Sequence, residues 1–174
     1  KTAESTETNK SDKTSAASRQ NAAADAEMKT LAAMPLETIV ARVKSAKEKN
    51  EKRKYLGALY YFKPKTEKDI TTLTNLAIEN DGKGAGKNAA LRAMENVGPE
   101  DKQLGPIFVK LLAHKDSRVQ YMAMEKCGIL RSKEAWPKLI TIFKSIDKSS
   151  TSKDDYGRLM GVLLYTRSGS PRRQ

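Results

Sequence analysis

Three groups of residues in this chain have the types that chemistry needs. The first is Gly82-Lys-Gly-Ala-Gly-Lys87, which has the glycines and the lysine of a phosphate-binding loop. Such a loop needs G-x-x-x-x-G-K followed by Ser or Thr, because backbone N–H groups cradle the phosphates and the hydroxyl holds magnesium. Here Asp81 stands at the first glycine position and Asn88 at the hydroxyl position. The segment also follows a helical pattern rather than a strand. It is expected to be a connection between helices, with Lys83 and Lys87 as contacts for an anion. The second is His114, the sole histidine. One imidazole cannot build a multi-histidine metal site, and it falls at a helix end, where His suits the dipole. The third is Cys127, the sole cysteine. It rules out an internal disulfide, falls on an apolar face, and has no neighbouring base to make it a thiolate. The carboxylate pairs Glu100–Asp101 and Asp154–Asp155 fall in first helical turns, where negative charge is favoured. No catalytic residue, metal site or cofactor is expected, and the chain reads as a non-enzyme.

The elements that carry these residues repeat. Over Leu104–Phe143 apolar residues recur at helical spacing: Ile107, Leu111 and Leu112, then Val119, Ala123 and Cys127, then Ala135, Leu139, Ile142 and Phe143. Short polar turns at 114–117 and 131–133 separate them. Each helix is too short to stand alone in water, so its stripe must be buried on neighbours. The spacing predicts about eight helices. The first covers roughly 36–49 and the second 51–62, ended by Lys63-Pro64. Thr66 with Asp69 is a capping-box start for the third. The fourth runs from Lys87 to Val97, closed by Gly98, and Pro99 opens the fifth. Asp116 or Ser117 caps the sixth, Ser132 the seventh, and Ser152 with Asp155 the eighth. Trp136 is expected to pack between the last hairpins, with an exposed binding contact as the alternative.

Laid over one another, Lys54–Phe62, Ala89–Val97 and Val119–Cys127 match at offsets of 35 and 30 residues. Small Ala58, Ala93 and Ala123 share one position. Leu59, Met94 and Met124 share the next. Gly98 and Gly128 follow two of the helices, as a C-cap glycine does.

This pattern resembles the HEAT-repeat family of helical hairpins. The residues that carry the resemblance are Leu111-Leu112, the turn residue Asp116, Val119, Ala123 and Gly128, then Ala135, Pro137 and Leu139 of the next unit. The match is good over 99–145, fair over 66–98 and weak over 36–63. The resemblance implies an all-α, right-handed α-solenoid of about four hairpins spanning 36–166. It also implies a concave side lined by the second helix of each hairpin. The positions pointing away from the apolar face are then Arg53, Asn88 and Arg118; Gly57, Arg92 and Met122; and Tyr60, Glu95 and Glu125. Of these, Arg53, Tyr60, Asn88, Arg92, Glu95, Arg118, Met122 and Glu125 are the candidate partner-binding residues. A face covered only by water has the same composition.

Charge adds a second candidate surface. The formal net charge is +12. Residues 1–35 carry five basic and five acidic side chains, so the whole excess lies beyond them. The densest stretch holds Arg42, Lys44, Lys47, Lys49, Lys52, Arg53 and Lys54. A basic face attracts polyanions, whether nucleic acid, anionic lipid head groups or an acidic protein. A solvated lysine-rich helix looks the same in sequence. Against a nucleic-acid role, aromatics for stacking are few and the arginines are scattered.

Residues 1–35 are polar and of low complexity, the composition of a tail or linker, although the Ala-rich part from 16 to 34 could turn helical against a surface. Residues 167–174 read as a loose basic tail. No apolar run approaches the length of a membrane span. A polar linker ahead of a folded domain is the arrangement found behind a removed signal peptide or a bacterial lipoprotein's acylated cysteine. An exported, periplasmic protein is therefore expected, with the cytoplasm as alternative. The functional expectation is a non-catalytic scaffold that binds a protein partner, an acidic one among the candidates, on its concave face and through its N-terminal tail, within a larger assembly. A basic nucleic-acid-binding protein is the alternative.

Overall fold

The computed structural model describes residues 22–79 and 84–145. The described residues are all helical or in connections, with no strand among them. The expected eighth helix, the loop tip at 80–83 and the C-terminal tail lie outside the described residues, as do residues 1–21.

The chain divides into two compact units at Phe62 and Lys63. In the first unit α1 covers residues 22–32. It is followed by α2 (Leu36–Ser45) and α3 (Lys49–Leu59). A three-residue connection turns α3 back on α2. The two bury Leu36, Ile39, Val40 and Val43 on one side and Leu56, Ala58 and Leu59 on the other. Of the stretch expected to be a tail, 22–32 is thus helical. Ala-rich sequence favours that state, and α3 supplies the surface.

The second unit contains α4 (Glu67–Ile78), α5 (Ala85–Glu95), α6 (Gly105–Leu111), α7 (Ser117–Ile129) and α8 (Trp136–Ser145). Single 3₁₀ turns, Lys102–Leu104 and Lys133–Ala135, lead into α6 and α8. The Thr66 side chain accepts from the Asp69 amide at 3.1 Å, and Asp69 Oδ2 accepts from the Thr66 amide at 2.9 Å. This reciprocal capping box fixes where α4 begins. Asp116 Oδ1 does the same for α7, accepting from the amides of Arg118 and Val119. α4 packs on α5 and α6 on α7, while α5 also packs on α7. The core between them is Ile70, Leu73, Ala89, Ala93, Met94, Phe108, Leu112, Val119 and Ala123.

Several boundaries differ from the sequence reading. The fifth helix begins at Gly105 rather than Pro99: the Asp101 amide closes a single turn on the Gly98 carbonyl at 3.1 Å, and Asp101 itself (φ −86°, ψ 40°) leaves the helical conformation. Ser132 makes no side-chain cap; it is buried behind a 3₁₀ turn. Gly128 lies inside α7. The left-handed residue that ends α7 is Arg131 (φ 54°). The Ser132 amide reaches the Cys127 carbonyl at 3.0 Å and the Arg131 amide the Gly128 carbonyl at 3.1 Å, the two bonds of a Schellman ending.

Candidate binding surface

α5 and α7 run side by side in the same direction, and the bonds between them keep the register of the sequence repeat. At their starts the Lys87 ammonium pairs with Asp116, and Arg118 donates to Asn88 Oδ1 at 3.3 Å. At their ends Lys126 Nζ donates to the carbonyl oxygens of Glu95 (2.7 Å) and Val97 (3.0 Å). Partners are 29 to 31 residues apart throughout, matching the offset that superimposes Ala93 on Ala123. Both alanines are fully buried. Their small side chains let the backbones approach and set the bond register.

On this pair Asn88, Arg92 and Glu95 are exposed on α5 and Arg118 is exposed on α7. Asn88 and Arg118 form a joined amide–guanidinium contact. Arg92 pairs with Glu95 one turn away. Glu125 is half-buried. Met122 departs from expectation: it is 5% exposed and belongs to the core. α7 touches both α5 and α6, so it buries a wider band than one stripe, and Met122, three residues from Val119, falls inside it. In the first unit Arg53 and Tyr60 are exposed. Of the basic stretch, Arg42, Lys44, Lys47, Lys49 and Arg53 are exposed and Lys52 and Lys54 half-buried. Lys54 is held by Glu27 at 2.5 Å, a hydrogen bond that raises the lysine above its usual pKa.

The residues with chemical potential are otherwise engaged. Gly84, with φ 67°, sits just before α5, so Lys87 lies in the first turn of the helix and not in a loop. Its ammonium, expected to touch an anion, is held by Asp116, and this pairing is the main reason the Asp116 carboxyl lies below its usual range. Lys83 lies outside the described residues. His114 Nδ1 accepts from the Asp116 amide at 3.1 Å, which ties the imidazole into the turn before α7. Burial pushes the Cys127 thiol up to about 12 and leaves it unreactive. Glu100 is drawn below the carboxylate range by its bond to Lys63. Among the described residues no three metal-ligating side chains cluster, and no helix is long and apolar enough to cross a membrane. Trp136 is half-buried at the start of α8.

Sequence reasoning missed two things. Lys126 reads as one more surface lysine, yet it is 2% exposed. Its place seven residues after Val119, on the apolar face, was the available signal. The contact of α1 with α3 was the other. Its signal was Asp25-Ala-Glu-Met28, where two carboxylates precede a large apolar side chain in the Ala-rich stretch.

No protein-family model, no curated protein and no solved structure matches the chain.

Proposed function

We propose that this chain is a non-catalytic protein-interaction scaffold, built as a HEAT-like right-handed α-solenoid of helical hairpins, that acts within a larger assembly. The observation that carries the reading is the parallel α5–α7 pair, bonded at both ends in the register of the sequence repeat. Repeat architectures grow by such nearest-neighbour contacts and use the aligned faces of successive helices for binding. The proposed partner surface is Asn88, Arg92, Glu95, Arg118 and Glu125, with Arg53 and Tyr60 as its counterparts in the first unit.

The test is capture from the native organism on tagged full-length chain, with nuclease treatment, beside an Arg92→Glu/Arg118→Glu variant. Both positions are exposed, so the variant keeps the core. Proteins that survive nuclease and are lost from the variant are the expected result. The same proteins on both baits, or turnover of a substrate by the purified chain, would refute it. The exposure of Arg42, Lys47, Lys49 and Arg53 favours nucleic acid as a second reading. Under that reading the bound set disappears with nuclease, and affinity for duplex falls steeply with salt.

A further inference from the structure

One side of α3, beside the exposed Arg53 and Tyr60, is covered in this chain. α1 lies along it in the opposite direction, since Asp25 meets Tyr61 while Glu27 and Met28 meet Lys54 and Gly57. Lys54 and Gly57 are spaced i, i+3 and share one side of α3, and Tyr61 lies in the turn just past its end. Gly57 forms the notch: a Cβ there would lie 3.0 Å from Met28 Sδ. Its backbone φ is not left-handed, so the turn geometry does not require glycine. Glycine in a helix destabilises it relative to alanine. What the missing side chain provides is room for the thioether. Flanking the notch, Lys54 holds Glu27, and the Tyr61 hydroxyl donates to Asp25 Oδ1. Lys29 pairs with Asp25 at 2.6 Å and sits 5.9 Å over the Tyr61 ring.

These contacts hold α1 loosely. The Lys54 and Glu27 side chains that join the two helices are 41% and 51% exposed, and an ion pair of that kind contributes little. A short alanine-rich helix is marginal without a surface. Elements of this kind supply the low-stability end of a structure.

We propose that Lys54 and Gly57 on α3, with Tyr61 in the turn after it, form a docking groove for an acidic, methionine-centred helix of a partner protein, and that α1 occupies it in cis until the partner displaces it. The recognised chemistry is the one seated there now: a methionine for the glycine notch, a carboxylate one residue before it for Lys54, and one three residues before it for the tyrosine hydroxyl. The basic excess from Arg42 to Lys54 favours an acidic helix over a neutral one. The proposal rests on the scaffold reading for there being a partner at all, but its test does not. The probe is a peptide of this chain, so failure of the groove and failure of the capture experiment are separate results.

The experiment uses full-length chain and a fluorescein-labelled peptide of residues 22–34, read by anisotropy. The wild type, with its groove filled in cis, should bind the peptide weakly. Met28→Asp in the chain puts a charge over the notch and frees the groove, and should tighten peptide binding at least tenfold. An Asp25→Lys/Glu27→Lys chain, which loosens α1 without touching the methionine, should do the same. Adding Lys54→Glu to either should abolish the gain, and a peptide carrying Met28→Asp should not bind. Circular dichroism checks that each variant keeps the helices other than α1. Equal binding to wild type and released chains, binding to neither, or indifference to Lys54→Glu would overturn the proposal. So would a wild-type dimer that Lys54→Glu dissociates, since the occupant would then be a second copy.

Discussion

Lys126→Met tests most directly why α5 and α7 stay in register. Methionine keeps the length and the apolar stem of lysine and removes the donor. The Glu95 and Val97 carbonyls, bonded at 2.7 and 3.0 Å, are then left without it. Each orphaned buried group costs about 1–3 kcal/mol. The variant is relieved of burying an ammonium, which offsets part of that loss. The net expectation is a loss of about 3 kcal/mol, equivalent to a fall of roughly 10 °C in Tm. Urea unfolding at pH 7, followed by circular dichroism, measures it. A second reading comes from pH. Burial, the largest influence on Lys126, pulls its pKa below the ordinary lysine value. The unfolded chain therefore holds this proton more tightly than the folded one. Folded stability then rises with pH as the folded lysine releases its proton, up to the ordinary value. The gap between wild type and Lys126→Met should widen from pH 8 to pH 10. A loss under about 1 kcal/mol would mean that water serves the two carbonyls equally well. A gap that narrows with pH would mean that the ammonium is stabilised by its surroundings rather than penalised.

Three further outcomes follow from the packing. Cys127, with its thiol at about 12, should resist a disulfide reagent at pH 8 in the native chain and react at once in denaturant; fast native labelling would show that α7 does not bury it. Asp116→Asn keeps a capping oxygen but loses the charge that Lys87 pairs with. Because the Asp116 pKa is lowered, its contribution is present above the ordinary carboxylate range and lost as pH falls. Wild type should exceed the variant by up to about 1 kcal/mol at pH 7, and the two should converge in acid melts; parallel curves would refute the pairing. Arg131→Gly should relieve the left-handed backbone at the end of α7 and gain about 1 kcal/mol, whereas Arg131→Ala should gain nothing; equal effects would remove backbone conformation as the cause.

The all-helical class and several helix starts were readable because their signals are local. Thr66 with Asp69, and Asp116 before Val119, carry their capping chemistry within three residues. The 30-residue offset was readable because a small alanine must recur wherever paired helices approach. The positions that failed depend on a second neighbour. Whether Met122 faces water is decided by α5 and α6 together, and nothing within α7 shows that two helices flank it. Lys126 is buried because the ends of α5 lack donors, a need that arises some thirty residues earlier. The start of α6 moved because the backbone leaves the helical conformation at Asp101 after one turn, which the local signals at Pro99 do not reveal. In the candidate surface, Asn88 and Arg118 were visible as aligned residues. Their direct bond, and the pairing of Arg92 with Glu95, required the side-chain geometry.

The bonds at the two ends of the α5–α7 pair also answer an electrostatic difficulty. Two helices lying side by side in the same direction bring like poles together, positive beside positive at their starts and negative beside negative at their ends. Lys87 adds a cation to the positive side. Asp116 sits there as the anion, and Lys126 sits at the opposite end as the cation. Asp116 caps α7 and offsets the added Lys87 cation, and Lys126, carried by α7, meets the last carbonyls of α5. Every further helix added in the same direction brings the same repulsion and needs its own pair of opposite charges. Where a unit lacks them, same-direction stacking loses this compensation.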